Sequence, residues 1–234
     1  MTPPEIVVLD WPHPCSYLPD RTARLPYRHP LERLAPEQFD ERLAEGDRRS
    51  GIYLYRPQCP KCQACEPLRL DLTAFRPNAT QRRIQRQGDA LLQVQIAPPT
   101  IDQARLDLFN AHRDQRDLSR GDEPIDQPGY ADFLTNTCCD TLELTCWHAG
   151  KLVACAIADA GRESLSAVYT FFDPGFTLTS LGTYCVLREA ELCRQTGRRY
   201  LYLGFHIAAS PHMSYKANFH PHQRRIAGQW RDFA

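Results

Sequence analysis

A chain of 234 residues, 42% apolar and 24% charged, is long enough to bury a core and too apolar to stay disordered. Its formal net charge is zero, which argues against a partner held by overall charge, and no apolar run approaches the roughly 18–20 residues of a membrane helix. The opening MTPPEIVVLDWPHP has no basic segment followed by an apolar one. A cytoplasmic protein is therefore expected, and its ten cysteines read as metal ligands, catalytic groups or core rather than as a disulfide framework.

Most of the nineteen prolines precede residue 130, so the first half is expected to be rich in loops. Residues 1–30 lack clear periodicity. A short helix is predicted over 31–43, started near Ala35-Pro36-Glu37, and a short strand over 51–56. That strand feeds into PQCPKCQACEPLRLDL, where Cys59, Cys62 and Cys65 are spaced as C-x2-C-x2-C and Leu68, Leu70 and Leu72 alternate as the next strand. Thiolates at this spacing can converge on one zinc ion or iron–sulfur cluster, with Cys15 as the candidate fourth ligand. The other reading is a turn carrying free thiols. Cys138, Cys139, Cys146, Cys155, Cys185 and Cys193 lie on apolar faces and read as small core residues.

Residues 91–97 alternate as a strand, a helix opens at 98–100 and runs to about 118, and 121–128 is a polar loop before a shorter helix. Three strands follow at 141–148, 151–159 and 164–172, joined by tight turns. In the last of them Leu165, Ala167, Tyr169 and Phe171 alternate onto one face. A helix begins at Thr179 or Ser180 and stops at Gly197, a strand covers 199–205, and a last helix covers 211–218. From residue 91 this is an α/β (α+β) order of strand, two helices, three-strand meander, helix, strand and helix. It is the order of the GNAT-type acyltransferase fold, which suggests a cysteine-containing N-terminal region (1–90) and a transfer domain (91–234).

Charge is unevenly placed. From Arg194 onward seven Lys or Arg stand against one acid, and Arg76, Arg82, Arg83 and Arg86 cluster without an acid. Each cluster reads either as a solvated face or as a nucleic-acid contact. Flanking a helix start that can take a phosphate, they point towards the latter.

Six runs in order now carry a resemblance. PCSYLPDRTAR, YRPQCPKCQACEPLR, QRRI, LSAVYTFFDP, SLGTY and YLYLGF together resemble the aminoacyl-tRNA–protein transferases, and their form is closer to the bacterial aspartate/glutamate leucyltransferases than to the longer eukaryotic arginyltransferases. Leu18 stands where the eukaryotic relatives carry the second cysteine of a metal-binding pair. FHIAASPHMSYK stands where the bacterial type usually reads like WIPGCRKMxYK after its last strand, with Tyr215 and Lys216 still matching.

The resemblance implies leucine transfer from leucyl-tRNA to proteins with N-terminal Asp or Glu, marking them for degradation. Arginyl transfer and a coenzyme A-dependent N-acetyltransferase remain alternatives, as does a zinc-bearing RNA-binding module. It implies further that Tyr202 and Tyr169 are catalytic hydroxyls, with His206 a possible base. Arg21, Arg24 and Arg56 would meet the acidic acceptor, and Ser180, Thr183, Tyr215 and Lys216 would bind substrate at the tRNA 3′ end. Arg82, Arg83 and Arg86 would contact tRNA. No cofactor is needed for the chemistry, so a metal at Cys15, Cys59, Cys62 and Cys65 would be structural.

Overall fold

The computed structural model describes residues 3–119 and 122–234; Arg120 and Gly121, where the expected polar loop begins, lie outside the described residues. The first part of the chain holds β1 (Glu5–Leu9), β2 (Pro12–Pro14), β3 (Thr22–Arg24), β4 (Tyr27–Pro30), α1 (Pro36–Ala44), β5 (Arg48–Ser50) and β6 (Tyr53–Tyr55). Then come β7 (Glu66–Asp71), α2 (Ala79–Leu91), β8 (Gln93–Ala97), α3 (Gln103–Gln115) and α4 (Gln127–Tyr130), which widens into a π turn at Ala131–Thr135. The remainder is β9 (Thr141–His148), β10 (Lys151–Ala160), β11 (Ser164–Phe172), α5 (Leu181–Gln195), β12 (Tyr200–His206), α6 (Pro211–Ser214) with a 3-10 turn at Tyr215–Asn218, β13 (His222–Ile226) and β14 (Gln229–Phe233).

The region without periodicity is thus not bare loop. Strands of three to five residues, broken by prolines, form a sheet in the order β1-β4-β6-β5 and a separate β2–β3 hairpin. Such pieces are too short to print an alternation into the sequence.

The main sheet has eight strands in the order β14-β13-β7-β12-β11-β10-β9-β8. β7 enters it between β12 and β13, and α2 packs along α5, so a division at residue 90 cuts through this layer. α2 was not foreseen, although its start is written in the chain. Asn78 accepts from the Gln81 amide at 2.9 Å and the Gln81 side chain accepts from the Asn78 amide at 2.9 Å, a reciprocal cap.

Val186, Leu187, Ala190 and Cys193 of α5 cover one face of the sheet against Leu68, Leu70, Leu165, Leu201 and Leu203. On the other face, Phe109 of α3 packs over Phe171, while Phe39 and Leu43 of α1 and Leu54 of β6 pack with Tyr202. The six cysteines expected in the core are all buried. No helix among the described residues is long and apolar enough to cross a membrane.

One strand pair is parallel. The α5 crossover returns the chain beside β11 in the same direction, and β11 pairs with β12 only from Ser164↔Tyr200 to Ser166↔Tyr202. Beyond that the two strands part, although they run on to Phe172 and His206. A bulge marks the parting on each. On β11, Tyr169 opposes Ile157 while Ala167 opposes Ala158, leaving Val168 unpaired. On β12, Tyr202 opposes Arg69 and Gly204 opposes Leu68, leaving Leu203 unpaired. The Val168 bulge also corrects the expected alternation: Leu165 faces α5, whereas Tyr169 and Phe171 turn to α3.

Candidate active site

Parting two parallel strands strips hydrogen-bond partners from the backbone oxygens that face the gap, and buried carbonyls must be satisfied elsewhere. Two side-chain cations do so here. Arg48 of β5 donates from Nη1 to Ser166 Oγ at 2.6 Å and from Nη2 to the Ala167 carbonyl. Lys216 donates from Nζ to the Phe205 carbonyl at 2.9 Å and lies 3.6 Å from Met213 Sδ. They meet over Gly204, whose φ of +84° suits glycine. A Cβ at that position would lie 3.3 Å from both Arg48 Nη2 and Lys216 Nζ.

Both cations are sequestered, at 7% and 9% exposure, and neither has an ion-pair partner among the described residues. Burial pulls the Arg48 guanidinium below its ordinary range and, with Arg48 adding repulsion, brings the Lys216 ammonium down to about 7. Asp159 attracts Arg48 but is bonded to Arg49, and Glu189 on the sheet side of α5 is fully buried with both oxygens unpartnered. Burial pushes it up to about 8 against the attraction of Arg48. The wall beside the cations is aromatic: Tyr27 stacks on Tyr55 at 5.4 Å, and Tyr55 meets Phe205 edge-on at 6.2 Å.

Of the residues singled out in the sequence, Lys216 lies in this gap with the Cys65 thiol near enough to interact with its charge, and Tyr215 beside it is 46% exposed. Tyr202 and Tyr169 are in separate aromatic clusters. The Tyr202 hydroxyl accepts from Arg69 Nη1 at 2.9 Å, and Arg69 is itself sandwiched between Tyr200 (4.0 Å) and Trp230 (4.1 Å). Tyr169 packs on Phe109 (5.5 Å) and Phe133 (5.4 Å). His206 lies against Glu66, with Arg224 3.3 Å away, and burial lowers its affinity for a proton.

Arg24 is held by Asp10 at 2.6 Å, and Arg56 by Asp47 and Glu45 at 3.4 and 3.6 Å; Arg21 is exposed on the β2–β3 hairpin. Ser180 and Thr183 sit at the start of α5, their hydroxyls 3.2 Å apart. Arg82, Arg83 and Arg86 project from the exposed side of α2. Arg76 and Arg194 converge on the Phe75 carbonyl at 2.8 and 2.9 Å, which joins the two basic clusters of the sequence into one surface.

The four N-terminal thiols gather. Cys65 is pushed up to about 12 by burial first and then by the charges of Cys59, Cys15 and Cys62. They stop short of a ligand set: among the described residues, no three His, Cys, Asp or Glu side chains are placed to hold a metal ion.

Arg48 and Glu189 were missed, yet each leaves a trace. Arg48 belongs to a charged pair in a strand of three residues between Gly46 and Gly51, and Glu189 interrupts the apolar stripe of α5 between Cys185 and Cys193. A charge where the pattern calls for core is the available signal.

Residues 13–83 match the N-terminal part, and residues 104–226 the C-terminal part, of the family described as arginine-tRNA-protein transferase. The chain belongs to this family.

Among curated relatives, an aspartate/glutamate leucyltransferase of Halorhodospira halophila is 39% identical over 94% of this chain and 93% of its own length. Relatives of the same name from Chromobacterium violaceum and Vibrio cholerae are 37% and 36% identical over 94% of this chain, covering 90% and 93% of theirs. Among solved structures, the C-terminal domain of a putative lysylphosphatidylglycerol synthetase from Agrobacterium fabrum superposes with a TM-score of 0.51 at 15% identity. That likeness spans 68% of this chain and about half (54%) of that one, and it bears on the fold alone. From β8 to α6 the order of strand, two helices, three-strand meander, helix, strand and helix is the GNAT-type order expected from the sequence, with the parted parallel strands at its centre. In this transferase the two matched segments meet at the gap: Arg48 comes from the first, and Ser166, Gly204 and Lys216 from the second.

Proposed function

We propose that this protein transfers leucine from leucyl-tRNA to proteins whose N-terminal residue is Asp or Glu, in the cytoplasm, marking them for degradation. The observation that carries this reading is the match to aspartate/glutamate leucyltransferases through both segments that build the gap. The chemistry is ester aminolysis. The acceptor α-amine, with an ordinary pKa of about 7.7–8.0, is partly neutral at neutral pH and attacks the aminoacyl carbonyl. The C–N bond forms, the C–O bond to the terminal ribose breaks, and the proton lost by the amine ends on the departing ribose oxygen. The protein has to align two substrates and shield them from water, and no side-chain nucleophile is required. Radiolabelled leucyl-tRNA incubated with a peptide beginning with Asp should yield labelled peptide. Transfer only from arginyl-tRNA or from acetyl-coenzyme A, or no transfer to acidic N-termini, overturns the reading.

The tRNA body would lie along Arg82, Arg83 and Arg86, and its 3′ end near Ser180 and Thr183. Replacing Arg83 and Arg86 by Gln should weaken tRNA binding and lower the slope of log K against log salt by about 2, with little change in stability. An unchanged slope removes α2 from the interface.

A structural zinc ion or iron–sulfur cluster at Cys15, Cys59, Cys62 and Cys65 is proposed on the gathering of the four thiols, with no reaction step passing through it. About one equivalent of zinc, or one cluster, should accompany protein purified without oxygen. Active protein holding less than about a tenth of that leaves the thiols as packed side chains.

A further inference from the structure

The buried cations of this molecule fall into two kinds. Arg49 faces Asp159 at 2.6 Å and Arg105 pairs with Glu143, so each has its counter-charge built in. Among the described residues Arg48 and Lys216 have no carboxylate in ion-pair contact, Asp159 attracting Arg48 only from beyond Arg49, and they stand beside each other, which adds repulsion to the loss of water. Burial raises Glu189 well above the usual carboxylate range, and its oxygens bond to neither cation. A fold that orders two cations with backbone carbonyls and a serine hydroxyl, over a glycine where any side chain would crowd both, leaves their charge to be met by an anion from outside.

We propose that Arg48 and Lys216 form the receptor for the side-chain carboxylate of the acceptor's N-terminal residue, and so impose the requirement for Asp or Glu. This assignment rests on the reading of the protein as a leucyltransferase. An ideal Cβ on Gly204 would lie 3.3 Å from both nitrogens, so the two donors converge over this glycine and can share one carboxylate. Tyr55, which interacts with the charge of Arg48, and Phe205, whose carbonyl holds Lys216, set aromatic carbon beside the pair, which limits the screening of its charge by water. An Asn or Gln side chain is isosteric but neutral, and would leave both cations without an anion. The arginines expected for this task from the sequence are placed otherwise, since Arg24 and Arg56 already hold carboxylates of the chain.

The test compares peptides beginning with Asp and with Asn, in transfer from leucyl-tRNA and in direct calorimetric binding, for the wild type, Lys216→Met, Arg48→Lys and Gly204→Ala. Lys216→Met should raise the KM for the Asp peptide about 30-fold or more and bring Asp and Asn peptides close together, with the KM for leucyl-tRNA unchanged. Gly204→Ala removes no charge but sets a methyl 3.3 Å from both nitrogens at a φ of +84°, and should cause the same loss of selectivity. It also covers the case in which a charge variant fails to fold. If folded Lys216→Met and Gly204→Ala proteins keep the wild-type preference for Asp over Asn, the assignment is overturned, even where kcat falls. If the wild type transfers no leucine at all, the functional reading fails, and calorimetry still judges the receptor. Tight Asp-peptide binding that is lost in both variants supports it, and equal binding of Asp and Asn peptides overturns it.

Discussion

Replacing Arg49 by Met is expected to destabilise the protein by about 3–5 kcal/mol, because it leaves a buried carboxylate without its counter-charge. Arg49 Nε and Asp159 Oδ2 are 2.6 Å apart and both side chains are wholly inaccessible. Arg49 also donates to the Gly51 carbonyl at 3.0 Å, and Asp159 accepts from Thr141 Oγ1 at 2.8 Å. The pair is a rivet between the small N-terminal sheet and β10 of the main one. Neutralising Asp159 as well should change the outcome. Arg49→Met combined with Asp159→Asn should recover most of the loss, since the charge is gone and the remaining polar atoms still reach Thr141. Urea unfolding of the two single variants and the double variant at pH 7 measures this as a cycle. A single variant within about 1 kcal/mol of wild type, or a double variant no better than Arg49→Met, contradicts the account. Activity is coupled to the same rivet. Successive residues of a strand point to opposite sides, so fastening Arg49 to Asp159 also aims Arg48 at Ser166 and the gap.

The second large effect belongs to Glu189 and depends on pH. Its carboxyl is raised to about 8 in the folded protein from an ordinary 4.5, so between these values the native state holds a proton that the unfolded chain releases. Stability from this group is therefore full below about pH 4.5 and is lost as pH rises towards and through 8. The full drop is on the order of 4 kcal/mol. Lys216 acts in a different window and with the opposite slope. Lowered to about 7 from 10.5, it makes the native state release a proton first, so its contribution grows as pH rises from about 7 to 10.5. Glu189→Gln keeps the shape and removes the titration. The wild type should lose stability between pH 5 and 8, the variant should not, and the variant should be the more stable of the two at pH 8. Parallel denaturation curves for the two proteins across that range would mean that Glu189 is ionised and compensated in the native state.

Much of the C-terminal half is legible in the chain. β9, β10 and β11 were placed to within a residue or two because each is long enough for its apolar pattern to outlast the turns. α5 was bounded by Ser180 and Gly197, whose chemistry is local. What stayed hidden is what depends on distant partners. The Val168 bulge, which turns Tyr169 away from the gap, exists only because β10 runs alongside with one residue fewer. Apart from the buried His222, β13 and β14 have exposed or half-buried residues on both faces, so little in their composition announces a strand. Tyr202 stood on a strand of the expected fold, but its role is fixed by Arg69 and Trp230, more than a hundred and twenty residues away on one side and near the far edge of the sheet on the other. Arg48 was passed over for a related reason. A basic residue in a three-residue strand looks solvated until the sheet it reaches into is known to part.

The seating of β7 between β12 and β13 sets a clock for biosynthesis. Arg69 is bonded to Tyr202 and to Gln223, partners separated from it by 133 and 154 residues. At ribosomal speeds of about 5–20 residues per second, β7 waits roughly 7–30 s for strands that do not yet exist. Throughout that interval Leu68 and Leu70, wholly inaccessible in the finished protein, have neither flank of their sheet to join. The nascent chain is then exposed to mispairing and to chaperone capture, and slowing translation downstream of β7 should lengthen that exposure in proportion.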